Sequence, residues 1–232
     1  MKQIIFIFLL TTLFQVTSTK LFFKKFLASS ILGINTMITP YNFPNIDSNP
    51  LLVNQVTYVS KKGNDIYLYG DINQDSSKLL KDYINEANDQ IDKIKEYHPV
   101  SPINIHIQSN GGSFLHSLYI IDLIKNSPNE IDTYIDGFAA SAATLVSLAG
   151  EKRYMTKNSL MLIHELSGGS EGKYNQIKDN MRNFDLFMNM IKNMYKENSK
   201  LTENDLNYLL SHDFWLSSKE CLEYGLIDKI IE

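Results

Sequence analysis

The sequence predicts an α/β fold built on a mostly parallel sheet with helices packed on its faces. Three observations carry this expectation. Short β-rich runs alternate with segments of helical spacing from about Leu51 onward, glycine or proline closes many of these runs, and the composition is that of an ordinary globular chain. The 232 residues are 44% hydrophobic and 21% charged, enough for one sizeable core or two small ones, which excludes a disordered, collagen-like or coiled-coil chain. The net charge of −4 and isoelectric point near 5.8 give no nucleic-acid footprint. A single cysteine, Cys221, excludes an intrachain disulfide framework and reads as a buried small apolar residue.

The elements follow in order. Asp65–Tyr69 (DIYLY) is a short strand ending at Gly70. Residues 76–97 have helical spacing, with Leu79, Leu80, Tyr83, Ile84, Ala87, Ile91 and Ile94 on one side, and Pro99 and Pro102 stop the helix. Ile103–Ile107 (INIHI) is a second strand, closed by Asn110-Gly111-Gly112 and followed by a helix over 113–125. A strand over 130–135 leads into a small-residue helix over 137–148. A short extended piece at Tyr154-Met155 and a strand over 159–163 come next. A long helix over 174–198 turns Ile177, Met181, Phe184, Met188, Ile191 and Met194 inward, and a further helix spans 202–211.

The N-terminus divides into targeting segments. Residues 1–18 are signal-like, with Lys2 ahead of the apolar run Ile4–Val16 and small residues at Val16 and Ser18; the alternative is an uncleaved membrane anchor. Residues 19–50 are transit-like or disordered, basic and hydroxylated with no acid before Asp47. Together they point to an organelle reached through the secretory route, a plastid of secondary origin, with the secretory pathway itself or a mitochondrion as alternatives. The folded domain is then residues 51–232.

Three places at strand ends could carry chemistry. In Asp136-Gly-Phe-Ala-Ala-Ser-Ala-Ala-Thr144, Ser141 falls at a strand-to-helix turn, where unpaired backbone N–H groups and the helix dipole would stabilise an oxyanion. Alone, that stretch reads equally as a small-residue helix packed on a neighbour. A serine needs a base, and of the five histidines His164 is best placed, at the end of Leu160–Ile163 and ahead of Ser167-Gly-Gly169. His106 lies within a strand, His116 in a helix, and His98 and His212 at surface positions, so these are set aside as bases. Ser109-Asn110-Gly111-Gly112 could turn N–H groups toward a carbonyl oxygen, although Asn-Gly-Gly is common in turns. No metal-ligand spacing is visible among the cysteine and histidines.

From about Ile66 to Ile231 the chain resembles the Clp protease proteolytic subunits, the caseinolytic serine peptidase family. The resemblance rests on QSNGGS at 108–113, GFAASAA at 137–143, MLIHELSGG at 161–169 and WLSSKECLEYGLIDKI at 215–230. It implies a crotonase-type ββα superhelix with a protruding strand–helix handle, Ser141 as nucleophile and His164 as base. It also implies an oxyanion hole from the main-chain N–H groups of Gly112 and Ala142. Further implications are stacked seven-membered rings with other subunits of the family, unfolded polypeptide as substrate, and a partner AAA+ ATPase that uses the ATP, leaving this subunit without a cofactor.

The resemblance places the third triad residue just before WLSSKE. Ungapped alignment puts Leu209 where many bacterial members carry aspartate, with Asp213 one helical turn later; Asp213 is the choice and Asp205 the second. Glu165-Leu166 stands where the family has Gln-Pro, and residues 53–62 do not resemble the usual axial loop. Three other readings stay open: a catalytically silent structural subunit of a mixed ring, a crotonase-type acyl-CoA enzyme and, weaker, a relative of the signal-peptide peptidases, with Lys152 and Lys157 as the nearest lysines to Ser141.

Overall fold

The computed structural model describes residues 57–232, and the signal-like and transit-like segments lie outside the described residues. Eight strands form one mixed sheet ordered β1-β2-β3-β4-β5-β8, with β6 beside the end of β4 and β7 beside β6. Strands β1 (Tyr58–Lys62) and β2 (Asp65–Tyr69) make an antiparallel hairpin through Gly63-Asn64. From β2 onward the ladder is parallel through β3 (Ile103–Ser109), β4 (Ile131–Ala140), β5 (Arg153–Thr156) and β8 (Lys229–Ile231). Strand β6 (Leu160–Leu162) runs parallel to β4, and β7 (Trp215–Ser217) antiparallel to β6. The sheet is mostly parallel, as the alternating pattern predicts.

Helices fill the crossovers between parallel strands. Helix α1 (Gln74–Ile94) starts at Asn73, whose side chain accepts from the N–H groups of Asp75 and Ser76, while Ser76 Oγ accepts from the Asn73 N–H. It buries Leu80, Ile84, Ala87 and Ile91 but leaves Leu79 and Ile94 exposed. Helix α2 (Phe114–Lys125) follows β3, and the short α3 (Ala142–Ser147) follows β4. Helix α4 (Tyr174–Asn198), α5 (Glu203–Leu210) and α6 (Ser218–Glu223) complete the chain.

The two faces of the central sheet differ. On one, Ile103, Ile105 and Ile107 join Leu80, Ile84 and Ile120 in a single buried cluster, each fully buried isoleucine contributing roughly 1.5–3 kcal/mol. On the other, directly opposed residues of four adjacent strands stack as Tyr67–His106–Tyr134–Tyr154, with centroids 4.8, 4.8 and 4.6 Å apart. His106 Nδ1 lies 2.7 Å from Asp136 Oδ2, which also accepts from Tyr69 Oη at 3.1 Å. That set joins β2, β3 and β4, and its Asp136 stands where the β3–β4 register shifts.

Four expectations change. The helix expected over 137–148 is strand as far as Ala140, because Phe138, Ala139 and Ala140 pair with Leu160, Met161 and Leu162; helix begins only at Ala142. In α4 only Ile191 and Tyr195 are buried, while Ile177 and Met181 on its N-terminal half are exposed. The strand that the resemblance implies in a protruding handle is not found between β6 and α4, where residues 163–173 pair with no described strand. Strands β1, β7 and β8 add to the expected set; they carry little sequence signal, being very short or without an alternating pattern.

Candidate active site

Three parallel strands deliver the site through their C-terminal ends, where open α/β sheets place their ligands. At the end of β4, Ser141 has φ +55° and ψ −128°, and it is the one described non-glycine residue with positive φ. Such a backbone costs on the order of 1–3 kcal/mol and persists only where the surroundings impose it. They do so here. Its N–H donates to the Leu162 carbonyl at 2.9 Å, and its carbonyl accepts from the Thr144 N–H at 3.0 Å and the Thr144 hydroxyl at 2.6 Å. Thr144 Oγ1 in turn accepts from the Tyr195 hydroxyl, because its own proton is engaged by Ser141. Tyr195 is fully buried, which pushes its phenol far above the ordinary range and keeps that proton in place.

The end of β3 supplies the second part. Gly111 fits against the serine turn, since a Cβ there would lie 2.7 Å from the Ala140 carbonyl oxygen and 2.8 Å from Ser141 Cβ. Gly112 bridges to Ile72: the Ile72 N–H donates to Gly111 O at 2.7 Å, and the Ser113 N–H donates to Ile72 O at 2.8 Å. In a parallel bridge the central residue's own N–H points away from its partner, and Gly112 lines the same cleft as Ser141. Ala142 is the first residue of α3, so its N–H has no acceptor within the helix.

His164 comes from the end of β6. Two backbone contacts bracket it against the segment between α5 and β7: Leu162 pairs with Trp215, and the Glu165 N–H donates to Leu210 O at 2.9 Å. The connecting residues 211–214 therefore pass in front of the imidazole, and Asp213 Oδ1 lies 3.3 Å from His164 Nδ1. The Asp213 side chain is 66% exposed, so water reaches this pair. The second choice, Asp205, faces elsewhere: it accepts from the Thr202 N–H and hydroxyl as part of the α5 cap. Leu209, at the family's usual aspartate position, is buried.

Ser141, His164, Gly112 and Ala142 share a narrow cleft of about 30 Å³ whose walls include Phe114, Leu145, Leu166 and Ile191. A pre-formed slot of this size suits one or two water molecules, so a peptide would lie across its mouth, with one side chain directed at the apolar walls. Sequence reasoning missed Tyr195 and Thr144. Their signal was faint, a tyrosine among the methionines of α4 and a threonine three residues after Ser141. A wider cleft of about 540 Å³ involves Lys125, Glu151, Arg153 and Asp228. There the Arg153 guanidinium is engaged by Asp228 at 2.6 Å and the Asn198 carbonyl at 2.5 Å, and the Ser199 hydroxyl donates to the Tyr195 carbonyl at 2.6 Å. Cys221 is also no candidate: burial pushes its thiol up to about 12, so it stays protonated.

Comparison with known proteins finds relatives over most of the described residues. A family model for Clp protease matches residues 53–232. The chain is 32% identical to ATP-dependent Clp protease proteolytic subunit 2 of Frankia casuarinae, covering 67% of this chain and 78% of that one. It is 30% identical to the ATP-dependent Clp protease proteolytic subunit of Streptococcus mutans, covering 67% and 88%. The fold resembles that of a ClpP1 point mutant from Listeria monocytogenes, with a TM-score of 0.64 and 25% identity, covering 73% of this chain and 92% of that one.

Proposed function

Because this chain belongs to the Clp protease family, we propose that it is a serine endopeptidase with Ser141 as nucleophile, His164 as base and Asp213 as the orienting acid. Ser141 Oγ attacks the peptide carbonyl while its proton passes to His164 Nε2. The N–H groups of Gly112 and Ala142 stabilise the oxyanion. Collapse of the tetrahedral intermediate breaks the C–N bond, and His164 returns the proton to the leaving amine. Water, deprotonated by the same imidazole, then releases the acyl group. Asp213 holds the imidazole with Nδ1–H toward the carboxylate, which leaves Nε2 to face the serine.

The observation that carries this reading is the strained backbone of Ser141 in a cleft shared with His164, itself in contact with a carboxylate. The apolar walls favour a substrate residue with an aliphatic or aromatic side chain at the cleft. Action within a ring chamber fed by an AAA+ ATPase accords with the open apolar face of Tyr174, Ile177 and Met181 on the N-terminal half of α4, a surface suited to another subunit. Import into an organelle through the secretory route, a plastid of secondary origin, follows from residues 1–50 by composition alone.

A fluorophosphonate probe tests the chemistry. The expected result is stoichiometric modification of Ser141, with peptide hydrolysis abolished in Ser141→Ala and in His164→Ala. Hydrolysis that survives Ser141→Ala would remove the assignment.

A further inference from the structure

Residues 211–214 form the whole connection between α5 and β7, and nothing in its two backbone anchors decides which way Asp213 turns. Around that residue sits an aromatic group on the protein surface. The His212 and Phe214 rings stack with centroids 4.9 Å apart and an interplanar angle of 11°. Tyr208, in the last turn of α5, covers His212 at 4.6 Å and reaches Phe214 at 6.0 Å. His212 Nδ1 donates to the Tyr208 carbonyl at 2.8 Å, which fixes the imidazole on the end of the helix.

We propose that Tyr208, His212 and Phe214 are positioning residues that set Asp213 against His164. This rests on the assignment of Ser141, His164 and Asp213 made above. The rings on either side of Asp213 are held against each other, which restricts the short backbone between them, and the carboxylate of that intervening residue reaches His164 Nδ1 at 3.3 Å. Without the stack, a carboxylate 66% exposed to water would sample many rotamers at little cost, and the imidazole would lose its orientation for part of the time. The sequence places these aromatics where burial does not require them: Tyr208 and Phe214 are 57% and 47% exposed. A cooperative contact between surface rings is worth a factor of roughly two to ten in the population of the oriented state.

The test is a double-mutant cycle on the full chain, read by the rate of Ser141 modification with a fluorophosphonate and by kcat and KM for a fluorogenic peptide. Phe214→Ala should slow modification roughly two- to tenfold, lower kcat with KM unchanged, and recover in Phe214→Tyr, which keeps the ring. In the Asp213→Asn background the same Phe214→Ala change should have no further effect. Tyr208→Ala provides a second route should Phe214→Ala fail to fold. The proposal is overturned if Phe214→Ala slows the reaction equally in the presence and absence of the Asp213 carboxylate, or leaves the rate unchanged while Asp213→Asn lowers it. Should Ser141 resist modification in the parental chain, the catalytic assignment itself falls, an outcome separate from either of these.

Discussion

Adding one methyl group at Gly111 probes how the site is held. The residue has φ +95°, a backbone that an alanine adopts only under strain of about 1–3 kcal/mol. Its Cβ would lie 2.7 Å from Ala140 O, 2.8 Å from Ser141 Cβ and 2.9 Å from Ala142 N, all of them atoms of the serine turn rather than mobile side-chain ends. Overpacking of this kind adds about another 1–3 kcal/mol. Restoring an ordinary contact of 3.4 Å from 2.7 Å requires the turn and the glycine loop to separate by about 0.7 Å. A misplacement approaching 1 Å at a reacting centre costs on the order of 100-fold in rate. Gly111→Ala should therefore lower the melting temperature by about 4–24 °C and peptide hydrolysis by about 100-fold. Gly169→Ala is the control, because a Cβ there meets nothing within 4 Å, and its melting temperature and activity should match the parent. Circular dichroism and a fluorogenic peptide assay read both. Gly111→Ala retaining a third or more of the parental activity with an unchanged melting temperature would refute the packing of glycine loop on serine turn.

Two further substitutions separate structural from catalytic acids. Asp205→Ala removes the carboxylate that accepts from the Thr202 N–H and hydroxyl, the side-chain half of the reciprocal cap, and should destabilise the protein by about 1 kcal/mol, a fall of about 2–4 °C in melting temperature, without changing hydrolysis. If activity instead falls as far as in Asp213→Asn, the acid has been assigned to the wrong residue. Asp228 is held below the usual carboxylate range chiefly by the hydrogen bond from the Arg153 side chain, against the opposing effect of burial. A depressed folded-state value means the stabilisation is present above the ordinary carboxylate range and is lost as pH falls through the folded-state value. The pair is part-exposed, so Asp228→Asn should cost about 1 kcal/mol or less at pH 7. Urea midpoints of mutant and parent should converge as pH falls below the ordinary carboxylate range, and a gap independent of pH would show that the carboxylate's charge is not what matters.

Much of the architecture was legible because its signals are local. The Leu80–Ile91 stripe and Pro99 mark one helix, although its start at the Asn73 cap was not read, and alternation in INIHI matches the observed alternation of buried and open residues in β3. What could not be read depends on partners distant in sequence. Gly137–Ala140 has the composition of a tight helix, yet β6 lies beside it and draws it into the sheet. In α4 the methionine periodicity is genuine, but it records an apolar face that most of this chain does not cover. The Asp213–His164 contact had no sequence signature of its own. Residues 211–214 are brought past the imidazole because Leu162 pairs with Trp215 while Glu165 bonds to Leu210, two contacts that no spacing rule encodes.

The serine and its base are consequently not independent placements. The carbonyl that accepts from the Ser141 N–H belongs to Leu162, two residues before His164 on the same strand end, so a shift of β6 would move the nucleophile's backbone and the imidazole together. The opposite side of the turn is fixed by Thr144, whose acceptor site is filled by Tyr195 from α4. Each of these hydrogen bonds contributes about 1 kcal/mol, and their sum is of the same order as the strain at Ser141. The strained conformation thus needs the neighbouring strand and the long helix at once. Attachment of α4 through the buried Tyr195 makes the packing of that helix a condition of the serine's geometry rather than a separate matter of assembly.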